Sequence, residues 1–345
     1  MLKERLTKYI EKQKREGREK LPPDRKLCEI FKVSRPTIMK ELAQLVGEGA
    51  IVRKKGSGTF IAEKDPAKTS RTIGTGFRNA LYNSNNDFFI KIINHLSQNC
   101  QKLNIELQLF DRLKDIFKRN ESDNGLIKNI DSGIIDGFLL GSRMPMEIIS
   151  AISSKIPTVS LNNTIDASEI TCVCCDYFSV GFIVAEYLLE MGHKNIGFIA
   201  GDQNHPEVWK NISAIKNAYK MRNIPFNPEN IAFIKGSSAE KIKKAAEFRK
   251  RKNFTAIFFI NNIISESFHK LADFNLTPEN NCSIIVSGDF GGCEKFGITA
   301  VDTKLEEVCR LGVKLLNDKL NGINIKNNCV ILDPEIIERD SVRKI

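Results

Sequence analysis

The chain has 345 residues, more than one hydrophobic core usually serves, and 41% of them are hydrophobic, enough for more than one buried core. Its formal net charge of +10 is unevenly placed: residues 1–62 hold sixteen Lys and Arg against eight Asp and Glu, and the remainder 36 against 34. No apolar stretch reaches the roughly 20 residues that span a bilayer, and the N-terminal MLKERLTKYIEKQKREG is charged and amphipathic rather than a secretory leader, so a cytoplasmic protein with no membrane partner is expected.

A cationic head on a nearly neutral body points to nucleic acid, because neutralising phosphates releases their counterions, whereas charge spread evenly would only aid solubility. Leu2, Leu6, Tyr9 and Ile10 share one face of a first helix that ends near Gly17. Pro22 and Pro23 can open a helix but not continue one, so Asp24 to Phe31 is predicted as a short second helix with Leu27 and Ile30 turned inward. A tight turn over Lys32 to Ser34 follows, and Ser34 is a good N-cap for a third helix in which Pro36 is tolerated in the first turn. Ile38, Leu42, Leu45 and Val46 form its apolar stripe, with Arg35, Thr37, Lys40, Glu41 and Gln44 pointing away. Two short helices, a tight turn and a polar face on the second make a helix-turn-helix, although a three-helix domain with a solvated charged face explains the stripe equally well. The continuation AIVRKKGSGTFIA separates the two: Ile51 and Val52 against Phe60 and Ile61 predict paired strands around a Gly56-Ser57-Gly58 turn flanked by Arg53, Lys54 and Lys55. This is a basic wing directly after the recognition helix.

The head resembles the winged helix of the GntR family of bacterial transcription regulators over nearly all of residues 2–62. The motifs are L-P-x-x-R-x-L at Leu21 to Leu27, V-S-R-x-T at Val33 to Thr37 and G-x-G-T-F at Gly56 to Phe60. The resemblance implies DNA contacts at Arg25 on the second helix and at Arg35 and Thr37 on the third, with the wing tip Gly56, Ser57, Gly58 and Thr59 in the minor groove. Ser34 and Lys40 complete the candidate DNA-binding set. Where the family usually has a further Arg in the recognition helix, this chain has Met39; Arg grips guanine in a fork and Met cannot, so the operator should differ from the family's common half-site.

The segment 63–71 is polar, contains Pro66 and lacks apolar periodicity, so it is predicted as a tether. Apolar runs then alternate with helical patterns: Ile73 to Phe77, Ile105 to Phe110, Gly137 to Leu140, Thr158 to Leu161, Ile196 to Ala200, Ile231 to Ile234, Ala256 to Ile260 and Ser283 to Val286 are strands. Phe88 to Leu103, Tyr177 to Met191, Val208 to Arg222 and Lys304 to Leu320 are helices among them. The rhythm predicts an α/β body of parallel sheets covered by helices on both faces, with ligands at the carboxyl ends of the strands.

TIGTGF with NSNNDFF, DGFLLGS, IPTVSLNN, CDYFSVGFIVAEYLLEMGHKNIGFIAGD and CSIIVSGDF leading to GITAVDTKLEEVCRLGVKLL resemble the effector body of the LacI family, a two-lobed fold like that of periplasmic sugar-binding proteins. A GntR-type head on a LacI-type body is similar to arabinose-responsive repressors of Gram-positive bacteria; a LacI-type head and hinge helix are absent. The resemblance implies three parts: a winged helix over 1–62, a linker over 63–71, and an effector-binding and dimerisation body over 72–345. Lobe 1 would take about 72–175 plus 304–330 and lobe 2 about 176–301 plus 331–345, with chain crossovers near Cys175, Val301 and Val330. It also implies a small-molecule effector clamped between the lobes, at positions matching Phe88, Asn162, Asn211, Asn262 and Asp289. The match is uneven: at Asn211 the sugar-binding members have an Arg that forks onto ring hydroxyls, at Asn162 and Asn262 many have Asp, and only Asp289 keeps the usual carboxylate. An amide offers one donor group and one acceptor where Arg gives a fixed fork, so the clamp discriminates less strongly. Trp209, the single tryptophan, leaves two readings open: a stacking platform for the C–H face of a sugar, or a partly buried residue at a helix start.

Nine cysteines, an odd number, suit small buried thiols in a reducing compartment. Cys172 and Cys175 have C-x-x-C spacing, but they sit in an extended run with no further Cys or His pair close in sequence. His95, His193, His205 and His269 lie in unrelated elements, and no nucleophile elbow, Walker loop or zinc-protease helix occurs. No catalytic residue, metal or cofactor is therefore expected. The expectation is a repressor of carbohydrate-utilisation genes, dimeric on a two-fold symmetric double-stranded operator and tuned by a sugar-like effector. The competing readings are a constitutive DNA binder whose body only dimerises, favoured by the lost clamp residues, and an enzyme with a regulatory head, for which no nucleophile and base are suitably spaced.

Overall fold

The computed structural model describes residues 2–15, 18–47, 50–54, 58–61, 70–77, 87–110, 113, 117, 125–165, 167, 170–325 and 328–345. In the head, α1 (Leu2–Arg15), α2 (Asp24–Phe31) and α3 (Arg35–Gly47) precede β1 (Ile51–Lys54) and β2 (Gly58–Ile61). Pro23 stands at the N-cap of α2, with Asp24 in the first turn where the helix dipole favours a carboxylate. Lys32 stops the helix in the left-handed region at φ 55°. Leu6, Leu27, Ile38, Leu42 and Ile51 are fully or almost fully buried in one small core.

Two expected inward residues are not inside. Ile30 is 40% exposed because Phe31 takes the core position one turn after Leu27, its ring edge-on to Tyr9 at 5.5 Å. Val46 is 38% exposed, since at 100° per residue it lies about 80° round the helix from Ile38, at the margin of the stripe.

The strands pair antiparallel with Ile51 opposite Ile61 and Val52 opposite Phe60. Leu21 N–H donates to Thr59 O at 2.9 Å and Ile61 N–H to Glu19 O at 2.7 Å, so residues 19–21 run along the free edge of β2 and anchor the wing to the helices. Gly56 and Ser57, with most of the expected tether, lie outside the described residues.

The body holds two six-stranded sheets. In the first, the spatial order is β4 (Ile105–Phe110), β3 (Arg71–Gly76), β5 (Gly137–Leu140), β6 (Thr158–Leu161), β7 (Thr171–Cys175) and β13 (Cys329–Leu332), all parallel. In the second it is β9 (Ile231–Phe233), β8 (Ile196–Ala200), β10 (Ala256–Phe259), β11 (Ser283–Ser287), β12 (Thr299–Asp302) and β14 (Glu335–Ile337), with only the last strand antiparallel. Strand runs buried on both faces are what parallel sheets between helix layers require. Along β10, Ala256 and Phe258 face one core while Ile257 and Phe259 face another.

The first sheet carries α4 (Asp87–Lys102), α5 (Gly125–Asp131), α6 (Met146–Ser153) and α10 (Leu305–Leu320). The second carries α7 (Tyr177–Glu190), α8 (Pro206–Met221) and α9 (Ser238–Lys252). The chain passes between sheets three times, after Cys175, after Asp302 and after Leu332. Val330 lies inside β13, so the third passage comes later than expected.

α7 and α8 cross closely at Gly181, where an added Cβ would sit 2.3 Å from the Asn211 carbonyl oxygen. Cys172, Cys174 and Cys175 are all buried in β7, and burial pushes the Cys174 and Cys175 thiols up to about 12, which keeps them protonated. In space Cys172 does have a thiol neighbour, since it registers with exposed Cys329 on β13. Among the described residues no group of three His, Cys, Asp or Glu is disposed to hold a metal ion, and no helix is long and apolar enough to cross a membrane.

Candidate DNA-binding face and interlobe cleft

The N-terminal turn of α3 presents Ser34, Arg35, Thr37 and Lys40 to solvent, with Arg25 also exposed on α2. Ser34 Oγ and Thr37 Oγ1 are 2.8 Å apart, and Ile38 N–H donates to Ser34 O, which fixes the entry of the helix. Burying Ile38 and Leu42 beneath leaves this polar face outward, and its free backbone N–H groups suit phosphate oxygens. In the wing, Gly58 is exposed at φ +113°, a conformation that glycine tolerates best. Thr59 differs from expectation: it is 7% exposed, facing inward because its neighbours pair with residues 19–21, and its side chain is not presented to a groove.

Arg53 has a role the sequence did not disclose. Its Nη2 donates to Asp24 Oδ1 at 2.7 Å and lies 3.3 Å from Met39 Sδ, joining the wing to both α2 and α3. Met39 therefore packs under a guanidinium instead of supplying one.

Between the two sheets lies a cleft of about 870 Å³, within the usual range for small-molecule sites. Its floor comes from residues just beyond strand ends: Gly141 after β5, Asn162 after β6, Asp202 after β8, Asn261 after β10 and Gly288 after β11. Helix N-termini supply the walls, with Phe88 on α4, Tyr177 on α7, Glu207 on α8 and Lys241 on α9. The lobes touch across it: Lys91 Nζ donates to Asp289 O at 3.0 Å, Gly291 N–H to Asp87 Oδ2 at 2.8 Å and Arg143 Nη1 to Asn204 O at 3.3 Å. The rings of Phe88 and Phe290 meet at 5.6 Å between centroids.

Phe88 and Asn162 line the cleft. Asn162 is held at φ 59°, is 9% exposed, and its Nδ2 has no acceptor. The Asn262 side chain lies outside the described residues, though Asn261 and Ile263 on either side reach the wall.

Three expected effector residues do not line the cleft. Asn211 is fully buried where α7 and α8 cross, its Nδ2 donating to Glu207 O at 2.8 Å and its Oδ1 unpaired; the amide is too short to leave that crossing. Asp289 is taken by Arg339, whose Nη1 lies 3.0 Å from Oδ1 and whose Nη2 donates to Oδ2 at 3.0 Å, a two-point pairing made by a residue 50 positions later. Trp209 is 49% exposed in the first turn of α8, its Nε1–H donating to Gln203 O at 2.7 Å and its ring 5.6 Å from that of Phe233. Of its two readings, the residue at a helix start fits this placement.

What the sequence reading missed is a charged group on the second lobe. Glu207 is 9% exposed, with His205 Nδ1 3.8 Å from its carboxylate; His205 Nε2 lies 3.9 Å from Asp202. Asp202 is held below the usual carboxylate range by the Asn204 N–H, so it stays ionised at neutral pH. Burial pushes the Lys241 ammonium down and the Tyr177 phenol up. The only sequence signal was an acidic residue just inside a Pro-initiated helix, HPEVWKN, which by itself reads as dipole pairing.

A winged head on two parallel-sheet lobes that enclose a polar cleft is the build of a ligand-responsive DNA-binding regulator. Residues 1–61 match the model of bacterial regulatory proteins of the gntR family. Residues 78–227 match that of periplasmic binding proteins and the sugar binding domain of the LacI family, and 185–342 a periplasmic binding protein-like domain. The chain is similar to the HTH-type transcriptional repressor PurR of Aliivibrio fischeri (strain MJ11), 21% identical over 291 residues that cover 82% of this chain and 84% of the relative. It is also similar to the arabinose metabolism transcriptional repressor of Geobacillus stearothermophilus, 24% identical over 205 residues, 58% of this chain and 56% of that one. A LacI family regulator from Enterococcus faecium, solved with bound ribose, superposes with a TM-score of 0.67 at 19% identity over 80% of this chain and all of that one. This likeness establishes the fold.

Proposed function

We propose that the protein is a DNA-binding transcriptional repressor of carbohydrate or other metabolic genes, governed by a small effector held between its lobes. The observation that carries the reading is the union, in one chain, of an exposed cationic N-terminal turn on α3 with a polar cleft that includes the unpaired amide of Asn162. Arg25, Arg35, Thr37 and Lys40, with Ser34 and the wing glycines, would meet phosphates and base edges as a dimer on a two-fold symmetric site. The effector acts by binding one lobe arrangement better than the other, which tilts the pair of heads relative to the half-site spacing; equal affinity for both would shift nothing. The similarity to transcriptional repressors supports the regulatory class.

The withdrawal of Asn211, Asp289 and Trp209 from the cleft favours a second reading, a constitutive DNA binder whose body only dimerises. Against it, Asn162 keeps an unpaired buried donor, costly unless something enters to meet it, and the Glu207 carboxylate has only the long contact to His205 at 3.8 Å. Fluorescence anisotropy on duplexes from the protein's own upstream region, over a salt series with and without sugars, tests both. The first reading requires salt-dependent binding that an effector alters, and affinity for duplex DNA that is absent at low salt would end it.

A further inference from the structure

The interlobe cleft combines buried charge, an unpaired amide and aromatic surface. Glu207 is nine-tenths buried in its wall, and His205 stands 3.8 Å from its carboxylate, close enough for ionic attraction but beyond hydrogen-bond reach. Asp202, ionised and lining the same wall, adds negative potential. The two cations lining the cleft keep their charge, Lys241 Nζ donating to Ile263 O at 3.3 Å beside Glu266 and Arg143 Nη1 to Asn204 O at 3.3 Å, but Asp202, Glu207 and Glu266 outnumber them. Across from this wall, Asn162 offers Nδ2 without an acceptor, also from a nine-tenths buried side chain. Phe88 and Phe290 close the space between with apolar ring surface.

A buried carboxylate seeks a cation that also donates hydrogen bonds, a buried amide N–H seeks an oxygen, and an aromatic wall seeks C–H surface. We propose that the cleft takes an amino sugar, a small hydroxylated ring whose protonated amine meets Glu207 and whose hydroxyl oxygen meets Asn162. The inference rests on the effector-sensing reading and narrows it to a ligand class. An anionic sugar phosphate is disfavoured, since its charge would face Glu207 and Asp202.

The test uses the full chain and matched probes: glucose with glucosamine, galactose with galactosamine, and glucose 6-phosphate, each by isothermal titration and thermal melting. At least one amine should bind about tenfold or more tighter than its neutral counterpart, as expected for a charge-assisted contact. In Glu207→Gln the ratio of amine to neutral-sugar affinity should fall to about one. Glu207→Asp, which keeps the charge, should retain part of the preference and guards against a folding defect in the amide variant. If glucose, galactose or glucose 6-phosphate binds best, or if Glu207→Gln leaves the amine preference intact, the inference is overturned and effector sensing stands. If none of the probes binds the parent protein, the amino-sugar assignment and the sugar-responsive reading fall together.

Discussion

Gly181→Ala sets two physical effects of opposite sign against each other. Inside α7, replacing glycine with alanine should stabilise by about 1 kcal/mol through helix propensity alone. The added Cβ, however, would lie 2.3 Å from the Asn211 carbonyl oxygen, 2.7 Å from its Cα and 2.8 Å from its carbonyl carbon. These are backbone atoms of α8, which no rotamer change can move, so the helices must separate by roughly 1 Å to reach ordinary contact. That loosens a core shared by Val180, Val184 and Ala185 on one helix and Val208, Ile212 and Ile215 on the other. Overpacking of this kind costs about 1–3 kcal/mol and more against backbone, so the net change should be about 1–2 kcal/mol of destabilisation.

For a unit of 150–250 residues this lowers the melting temperature by about 2–4 °C per kcal/mol, read by calorimetry on the transition of the second lobe. Because α8 also carries His205 and Glu207 to the cleft, ligand affinity should fall in the same variant. Gly125→Ala is the control, since a Cβ there meets nothing within 4 Å and should change stability by only a few tenths of a kcal/mol, about the surface average. A Gly181→Ala protein that melts at or above the parent would refute the close-crossing argument.

Arg35→Ala should weaken operator binding by about 1–3 kcal/mol if the side chain reads a base, with unfolding unchanged because it is exposed; an unaltered titration by anisotropy removes it from the interface. Arg53→Ala should cost about 0–1 kcal/mol of stability, as its pair with Asp24 is partly exposed, and should leave the salt slope of DNA binding nearly unchanged because its charge is already matched. A slope reduced by about 0.9 would show instead that Arg53 releases Asp24 and neutralises a phosphate. His193 sits buried between Thr255 Oγ1 at 2.9 Å and Arg343 O at 3.0 Å, and burial holds its pKa below the ordinary 6.5. The unfolded chain therefore binds the proton more readily, so stability is full above pH 6.5 and declines as pH falls through the window below it. Melting from pH 8 to pH 5 should show this decline in the parent and a shallower one in His193→Gln; identical slopes would place the acid sensitivity elsewhere.

Parallel strands were the most legible part of the fold. Gly137–Leu140, Thr158–Leu161 and Ile196–Ala200 coincide with the predicted runs, because strands buried on both faces read as unbroken apolar stretches, and the edge strand Ile105–Phe110 coincides too although only partly buried. Edge strands β13 and β14 lack that signal: along β13, Cys329 and Ile331 face solvent, and β14 spans three residues. Helix α9 was hidden by seven Lys and Arg, which mask a stripe as sparse as Ile242, Ala245 and Phe248. The exposure of Ser34, Arg35, Thr37 and Lys40 was legible because they lie on the face of one helix opposite its apolar stripe. The cleft was less so, since a resemblance aligns positions but does not show what each side chain meets: Asp289 is claimed by Arg339, far along the chain, and Asn211 by its own helix.

Asn211 and Glu207 lie one turn apart on α8, and side chains on a helix lean toward its N-terminus. An Arg at position 211, as in the sugar-binding relatives that the sequence resembles, would lean toward Glu207 and could neutralise it at the cleft wall. With Asn there, the amide stops at the Glu207 carbonyl and the carboxylate is left for the ligand. The exchange thus replaces a neutral pair on the second lobe with a carboxylate, which is why the loss of one cation need not mean the loss of binding. Asn211→Arg should restore the pair, erase any preference for amines over neutral sugars and raise affinity for the neutral ones. The variant also loads a fully buried position, so melting should fall unless the guanidinium reaches Glu207. Titration of the matched sugar and amine probes reads both effects: retained amine preference in a stably folded Asn211→Arg protein would show that Glu207 is not the group that sets the ligand's charge.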